Sequence, residues 1–486
     1  MLKLNGCKFG IIAFLACICF GLSSPAQTFQ SLVSFNGTNG AIPHNAVLVQ
    51  GVDGNLYGTT GQGGLNNCRG TGCGTVFRMT PDGMFTTLYN FCSMTGCIDG
   101  EFPQAGLVLA TDRNLYGTTE TGGKHESGTI FRITPSGNFT VVYNFCQATS
   151  CADGAQPYSP LVEGDDGYLY GTTAAGGSNQ SGTIFKLSPA GILTTIYNFC
   201  SPSGCAGPYD PYAGLIQGTD GNFYGTTIRS GPGQGSAYRV TSGGAFSTLH
   251  IFFCDPHQCS DGAEPVAGVM QATNGNLYGT TYQGGNLQCG QAGGCGVVYQ
   301  ISPGDVITPL YTFNGPDGKL PQAGLVQGTD GNLYGTTEAG GSPYNCCGTI
   351  FQLTPSGVLT EVHDFENAQG EFPDAAPFQA TNGVFYGTTS QGGNNGQGII
   401  YSLDMGLGPF VSFIIPAGKV GATGGILGQG FTGTTSVMLN GVSANFTVVS
   451  DTFIQATVPQ GATTGYVTVS TPSGVLTSNV PFRVIP

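Results

Sequence analysis

Residues 321–365 hold four strand-like pieces in a row: PQAGLVQGTDG (321–331), NLYGTT (332–337), GTIFQLTPSG (348–357) and VLTEVHDF (358–365). Asp330-Gly331 closes the first piece, and Asp-Gly is the strongest short hairpin signal. Pro355-Ser356-Gly357 separates the third from the fourth, which is again turn chemistry. Strands such as Thr129-Ile130-Phe131-Arg132-Ile133 carry apolar side chains on both faces, as a small sheet does when it packs between two others. No helix-period segment interrupts them.

Working outward, Tyr-Gly-Thr-Thr recurs seven times, with its tyrosine at Tyr57, Tyr116, Tyr170, Tyr224, Tyr278, Tyr334 and Tyr386, in steps of 59, 54, 54, 54, 56 and 52 residues. A period this long and regular means one supersecondary unit copied side by side. Six of the seven first turns carry Asp-Gly or Asn-Gly, and the second copy departs with Asp112-Arg113. Four-stranded sheets repeated radially make a β-propeller. The chain ends support a closed ring. The seventh copy stops after its third strand, Gly398 to Leu403, while Thr28 to Phe35 matches a fourth strand such as Phe85 to Phe91. The expectation is an all-β chain: a seven-bladed β-propeller of four-stranded blades, closed by the N-terminal strand and followed by an Ig-like β-sandwich.

The L-Y-G-T-T core, a following Gly-Gly, the G-T-[IV]-F-x-[LI]-T-P-x-G strand and a Y-x-F strand resemble the GloVer tandem repeat of exported bacterial choice-of-anchor proteins. The resemblance covers residues 28 to about 405, implies fold and export, and brings no activity with it. The fourth copy departs, because Gly225-Thr226-Thr227 runs into Ile228-Arg229-Ser230-Gly231 and Ser236-Ala237-Tyr238 replaces G-T-I-F. Residues 409–486 differ in kind. Gly428-Gln429-Gly430-Phe431, Val437-Met438-Leu439-Asn440-Gly441 and Gly465-Tyr466-Val467-Thr468-Val469 resemble the IPT/TIG immunoglobulin-like domain, which implies a spacer or interaction module. The domain reading is therefore a signal peptide at 1–26, the propeller at 27–405 and the Ig-like module at 409–486.

Lys3, Lys8, the apolar run Phe9 to Leu22 and the small residues Ser24-Pro25-Ala26 read as an export signal, and that run falls short of the roughly 18 apolar residues of a membrane span. Glycine is abundant, at 83 of 486 residues, and only 8% of residues are charged, with a formal net charge of −14. A surface so short of Lys and Arg repels phosphate backbones, which excludes nucleic acid as a partner. Past the leader the cysteines fall in close pairs: Cys68/Cys73, Cys92/Cys97, Cys146/Cys151, Cys200/Cys205, Cys254/Cys259 and Cys289/Cys295, with Cys346 and Cys347 adjacent. Zinc sites need two such pairs converging, usually spaced C-x2-C. Local disulfides in an oxidising compartment are expected instead, with Cys346-Cys347 either a vicinal disulfide or two thiols. The protein is read as secreted or held at the cell surface.

Chemical signals are few. Gly428-x-Gly430-x-x-Gly433 satisfies a dinucleotide-binding pattern literally, but it opens a strand instead of a helix, so no cofactor is expected. The histidines lack ligand spacing, so no metal is expected either. His250 and His363 stand where other copies have Tyr89, Tyr143 and Tyr197, and read as structural. Glu120 and Glu338 follow Tyr-Gly-Thr-Thr where other copies place Gly61, Ala174, Ile228, Tyr282 and Ser390. In an up-and-down blade, second-to-third turns and the crossings between blades share one face. Every mature cysteine lies in those loops, with Asp99, Glu101, Phe102, Tyr158, Tyr209, Asp210, Glu264, Tyr344 and Phe372. Loops on a rigid scaffold are where binding residues concentrate. These nine and Glu120 and Glu338 are the candidate ligand-binding set, for an extracellular glycan or a protein ligand. The leading function is a non-catalytic scaffold for extracellular binding or adhesion. Its rivals are a polysaccharide-acting enzyme with acids on that face and a purely structural envelope protein.

Overall fold

The computed structural model describes residues 27–200, 207–231, 233–254, 259–289, 293–342 and 346–485. The expected leader, Cys205, His257 and Tyr344 lie outside them. The architecture is all-β: among the described residues the only helical pieces are three short 3-10 turns. Among the described residues no helix is long and apolar enough to cross a membrane.

Each repeat folds into one four-stranded antiparallel sheet, and seven such sheets follow in chain order. The sixth is typical, with strands at Val326–Gln327, Leu333–Thr337, Thr349–Leu353 and Leu359–Asp364. In the last sheet the fourth strand is supplied by Thr28–Ser34, paired antiparallel with Ile399–Asp404 in the register Thr28↔Asp404 to Ser34↔Ile399. Phe29 of this strand stacks on His363 of the sheet before, 3.6 Å between ring centroids.

Tyr-Gly-Thr-Thr is a packing rule, residue by residue. The Tyr57 hydroxyl donates to Asp53 in the adjacent turn at 2.7 Å, and Tyr170 and Tyr334 do the same to Asp166 and Asp330. A Cβ on Gly58 would stand 2.6 Å from the Phe77 ring and 2.8 Å from Leu48, so only glycine fits. The first threonine reaches the next sheet: Thr59 Oγ1 donates to Ala105 O at 2.7 Å, and Thr280 to Ala323 O at 2.8 Å. The second binds within its own sheet, Thr60 to Thr75 at 2.9 Å. In the second turn, Arg113 adopts φ 67°, the left-handed conformation that Gly54 takes in the first. The irregular fourth copy spends its departure on a small ribbon, in which Pro208–Tyr209 pairs with Arg229–Ser230.

The C-terminal segment builds two further four-stranded sheets, one containing Thr423–Leu427 and Phe453–Thr457, the other Ser436–Leu439 and Val467–Thr471. They enclose an apolar cluster that includes Val411, Phe431, Ile454 and Val469. This segment lies against the first-turn ends of the repeat sheets. Thr452 Oγ1 donates to Val52 O at 2.8 Å, Phe410 N to Thr381 O at 3.0 Å, and Arg483 pairs with Asp165.

Disulfides join Cys68–Cys73, Cys92–Cys97, Cys146–Cys151, Cys254–Cys259, Cys289–Cys295 and the neighbours Cys346–Cys347. Their number fits an oxidising environment. Each loop pair closes only a handful of residues, worth roughly 2 kcal/mol on the chain-entropy model.

Candidate functional site: an axial well on the cysteine-bearing face

Where the chain crosses from one sheet to the next it meets an x-Pro-y triplet, seven times. The residues before proline are Ile42, Phe102, Gln156, Asp210, Glu264, Leu320 and Phe372, and all seven have φ between 49° and 59°. The left-handed region is uncommon for non-glycine residues, and a following proline restricts the backbone further. Hydrogen bonds on both sides hold it here. Phe102 N donates to Cys73 O at 3.0 Å, and Phe102 O accepts from Glu120 N at 3.0 Å; Leu320 and Phe372 are pinned in the same way by Cys295 and Glu338, and by Cys347 and Ser390. The backbone is constant and the side chain is free to vary.

This geometry sorts the expected residues. Phe102, Asp210, Glu264 and Phe372 occupy the pre-proline position. Glu120 and Glu338, at the residue after Tyr-Gly-Thr-Thr, donate their backbone N–H to the pre-proline residues Phe102 and Leu320. Tyr158 follows proline and lines a well of about 310 Å³ with Tyr212, Gln322 and Asp374. Tyr209 sits in the small ribbon beside Asp210, whose carboxylate lies 3.8 Å from Arg229. Glu101 bridges to Thr121 at the rim, its carboxylate close to the sulfurs of Cys68, Cys92 and Cys97. All three sulfurs are in disulfides, so no thiolate is left there to hold a metal.

Asp99 has a structural role in its loop. It is fully buried, accepts from the Tyr89 hydroxyl at 2.7 Å and from the backbone of Ser93 and Met94, and so ties its crossing to the fourth strand. Asp153 repeats the arrangement with Tyr143, Gln147 and Ala148. His250 takes the tyrosine's role with Asp261 at 2.7 Å.

Of the post-proline position only Tyr158 was expected from sequence; His44, Tyr212, Gln322 and Asp374 were missed, and they hold the most unusual chemistry. Asp374 is 5% exposed, with Oδ2 3.4 Å from His44 Nε2 and Oδ1 without a hydrogen-bond partner. Burial pushes its carboxyl up to about 7. Burial lowers His44 below the ordinary imidazole value, and Gln322 Nε2 lies 3.3 Å from its Nε2. Burial also raises Glu338; a bond from the Tyr282 hydroxyl opposes it, and Glu338 Oε2 has no partner. Glu120 accepts from Gln104 at 3.1 Å. Tyr158 and Tyr212 meet edge to face, 5.3 Å between centroids. Burial first, then the charges of Glu120 and Asp374, raise the Tyr158 phenol to about 12. Alignment of the copies on their prolines would have found this ring.

An all-β repeat of this kind has propeller-like neighbours among solved structures. A fungal alcohol oxidase of the AA5 family, in complex with copper, is 14% identical over 94% of this chain and 99% of that one, with a TM-score of 0.52. The periplasmic gluconolactonase of Pseudomonas aeruginosa is 16% identical over 66% and 84%, with a TM-score of 0.43. At such identities the likeness is one of fold. The sequence itself belongs to the Gloeobacter/Verrucomicrobia repeat family, whose profile matches residues 15–232 and 210–445. No curated protein matches the chain.

Proposed function

We propose that residues 27–405 form a seven-bladed propeller closed by the N-terminal strand, that residues 409–486 form an IPT/TIG-type Ig-like sandwich, and that the exported protein binds an extracellular ligand in the axial well. The observation that carries this reading is the asymmetry of the two ends. The C-terminal segment lies on the first-turn end, through Thr452, Phe410 and Arg483. The other end opens into a well lined by Tyr158, Tyr212 and Asp374. Loops stapled by disulfides surround that mouth and lower the ordering cost of engagement. A rigid, apolar-floored cavity with a few convergent polar groups is the usual form of a ligand site, and tyrosines beside carboxyl groups suit a glycan or a peptide.

The test is a glycan and peptide array probed with residues 27–486, followed by titration of the best hit. Tyr158→Ala with Tyr212→Ala should weaken binding at least tenfold, while Asn55→Ala, Asn222→Ala and Asn332→Ala on the opposite face should leave it unchanged. Loss from the second set alone refutes the choice of face. One observation favours the enzymatic alternative: Asp374, raised to about 7, lies 3.4 Å from His44 in a cleft. Release of reducing sugar that Asp374→Asn abolishes would establish that reading in place of simple binding.

A further inference from the structure

One acid lines the axial well, Asp374, and the charges of Glu338 and Glu120 act on its lining from close by. Asp374 presents Oδ1 and Glu338 presents Oε2, both buried and both without a hydrogen-bond partner. Asp374 itself is nineteen-twentieths buried, and its side chain helps to line the well. Glu120 adds a third carboxyl, because its charge and that of Asp374 both act on Tyr158. Among the described residues no Lys or Arg lines the well, and His44, 3.4 Å from Asp374, is itself disfavoured as a cation by burial. Arg229, at the neighbouring crossing, is turned to Asp210. A buried carboxylate oxygen without a donor is costly, and a buried charge without a counter-charge costs more. Burial holds a proton on Asp374, and a ligand that donates hydrogen bonds and carries positive charge would take that proton's place.

The tyrosines beside these acids add a second property. Tyr158 and Tyr212 form an edge-to-face pair, with Tyr212 39% exposed. A tyrosine face attracts a cation placed within about 6 Å of its centroid. The floor, including Ala213, Leu215 and Val269, is apolar and buried. Carboxyl oxygens, ring faces and an apolar base match an ammonium group on a small carbon skeleton better than a hydrated metal ion, which would find no such set of oxygen ligands close together.

We propose that the axial well is a recognition site for a primary ammonium group, such as the 2-amino group of a deacetylated amino-sugar residue, with Asp374 accepting its hydrogen bonds, Glu338 adding negative charge nearby, and Tyr158 and Tyr212 covering its carbon-bound face. This rests on reading the well as a ligand site. It adds that charge, beyond shape or hydroxyl pattern, selects the ligand.

The experiment compares a β-linked tetrasaccharide of glucosamine with its fully N-acetylated counterpart, by calorimetry at neutral pH on residues 27–486. The free amine is expected to bind at least tenfold more tightly. Asp374→Asn should cut the ratio of the two affinities at least tenfold, and Glu338→Gln should lower the ratio in the same direction. Thermal unfolding of both variants confirms that they are folded. Equal binding of the two sugars, or an amine preference that survives Asp374→Asn, overturns the inference and leaves the well as a glycan site. Binding of neither, with an array hit that depends on Tyr158 and Tyr212, overturns the inference alone. Binding of neither, with no array hit, overturns the site as well.

Discussion

The side chain of Gln50 in the first repeat sheet accepts the backbone N–H of Thr381 in the last, at 3.0 Å across 331 residues of chain. It is one instance of a rule. Gln217, Gln271, Gln327 and Gln379 accept from Asp165, Thr219, Thr273 and Thr329 of the sheet before, at 2.8–3.0 Å, and Glu163 accepts from Thr111 at 2.7 Å. The same latch that joins consecutive sheets thus joins the two that are farthest apart in sequence. Gln50→Leu removes the acceptor and leaves a buried N–H unpaired, at a cost of about 1–3 kcal/mol. The expected outcome is a lower thermal midpoint, matched within error by Gln271→Leu at an internal junction. A Gln50 variant with an unchanged midpoint would show that the first and last sheets do not depend on each other.

Removal of the N-terminal strand should do more. Deleting Thr28 to Phe35 takes away six register pairs and the Phe29 ring on His363, and exposes the edge of Ile399–Asp404. Unpaired edges recruit other chains. The truncated protein is expected to unfold well below the full mature chain and to form larger species by size-exclusion chromatography. Equal stability of the two would refute ring closure by this strand.

How much of this was legible in the sequence can be judged from particular positions. Period, turn chemistry and the displaced strand at 28–35 are local patterns, and each surfaced in the chain as written. The reading of Tyr-Gly-Thr-Thr as a packing motif was also accessible, because a feature common to every copy builds the copies. Glu120 and Glu338 stood out as departures from that motif. Asp374 and His44 did not, because their triplets, Phe372-Pro373-Asp374 and Ile42-Pro43-His44, register on the prolines and not on the tyrosines. The structural role of Asp99 was hidden for a different reason. An acid in a loop reads as solvated, and only the three-dimensional arrangement brings the Tyr89 hydroxyl and two backbone donors onto it.

Stability should depend on pH through Asp374. Its carboxyl holds its proton up to about 7 in the folded protein, whereas the unfolded chain loses it in the ordinary carboxylate range. Between those values the folded state binds more protons, so stability falls as pH rises. A shift of this size corresponds to a few kcal/mol at most. Asp374→Asn has no proton to lose. It is expected to be more stable than the parent at roughly pH 8, with the gap narrowing at roughly pH 5, in paired thermal melts. Parallel melting curves for the two proteins at both values would show that Asp374 titrates normally.

Reduction should loosen the loops and spare the sheets. The disulfides close loops of about six residues or fewer, so each contributes roughly 2 kcal/mol or less. Non-reducing peptide mapping is expected to recover the pairs within single loops, Cys346 with Cys347 included. Mild reductant should raise hydrogen exchange around residues 92–101 and 146–155 while the Tyr-Gly-Thr-Thr strands stay protected. Bridges between different repeats, or stoichiometric zinc, would contradict this assignment.

The latch is missing at one junction, and the C-terminal segment meets the repeat sheets there. Leu109 stands where the other sheets carry Gln or Glu, so nothing in the second sheet accepts from the first-turn backbone of the first. Instead Leu109 belongs to one apolar cluster with Leu427 and Phe453, with Val52 and Ile414 packed against it, and Thr452 bonds to Val52 O. The sheet should tolerate Leu109→Gln, since glutamine is what five equivalent positions already hold. The C-terminal segment should not, because burying an amide in place of an isobutyl group forfeits about 2 kcal/mol of apolar contact. The expected result is faster proteolytic cleavage between Asp404 and Phe410 and a larger radius in solution, with the main unfolding transition little changed. If cleavage and radius match the parent, the polar contacts at Thr381 and Asp165 hold the segment in place without Leu109.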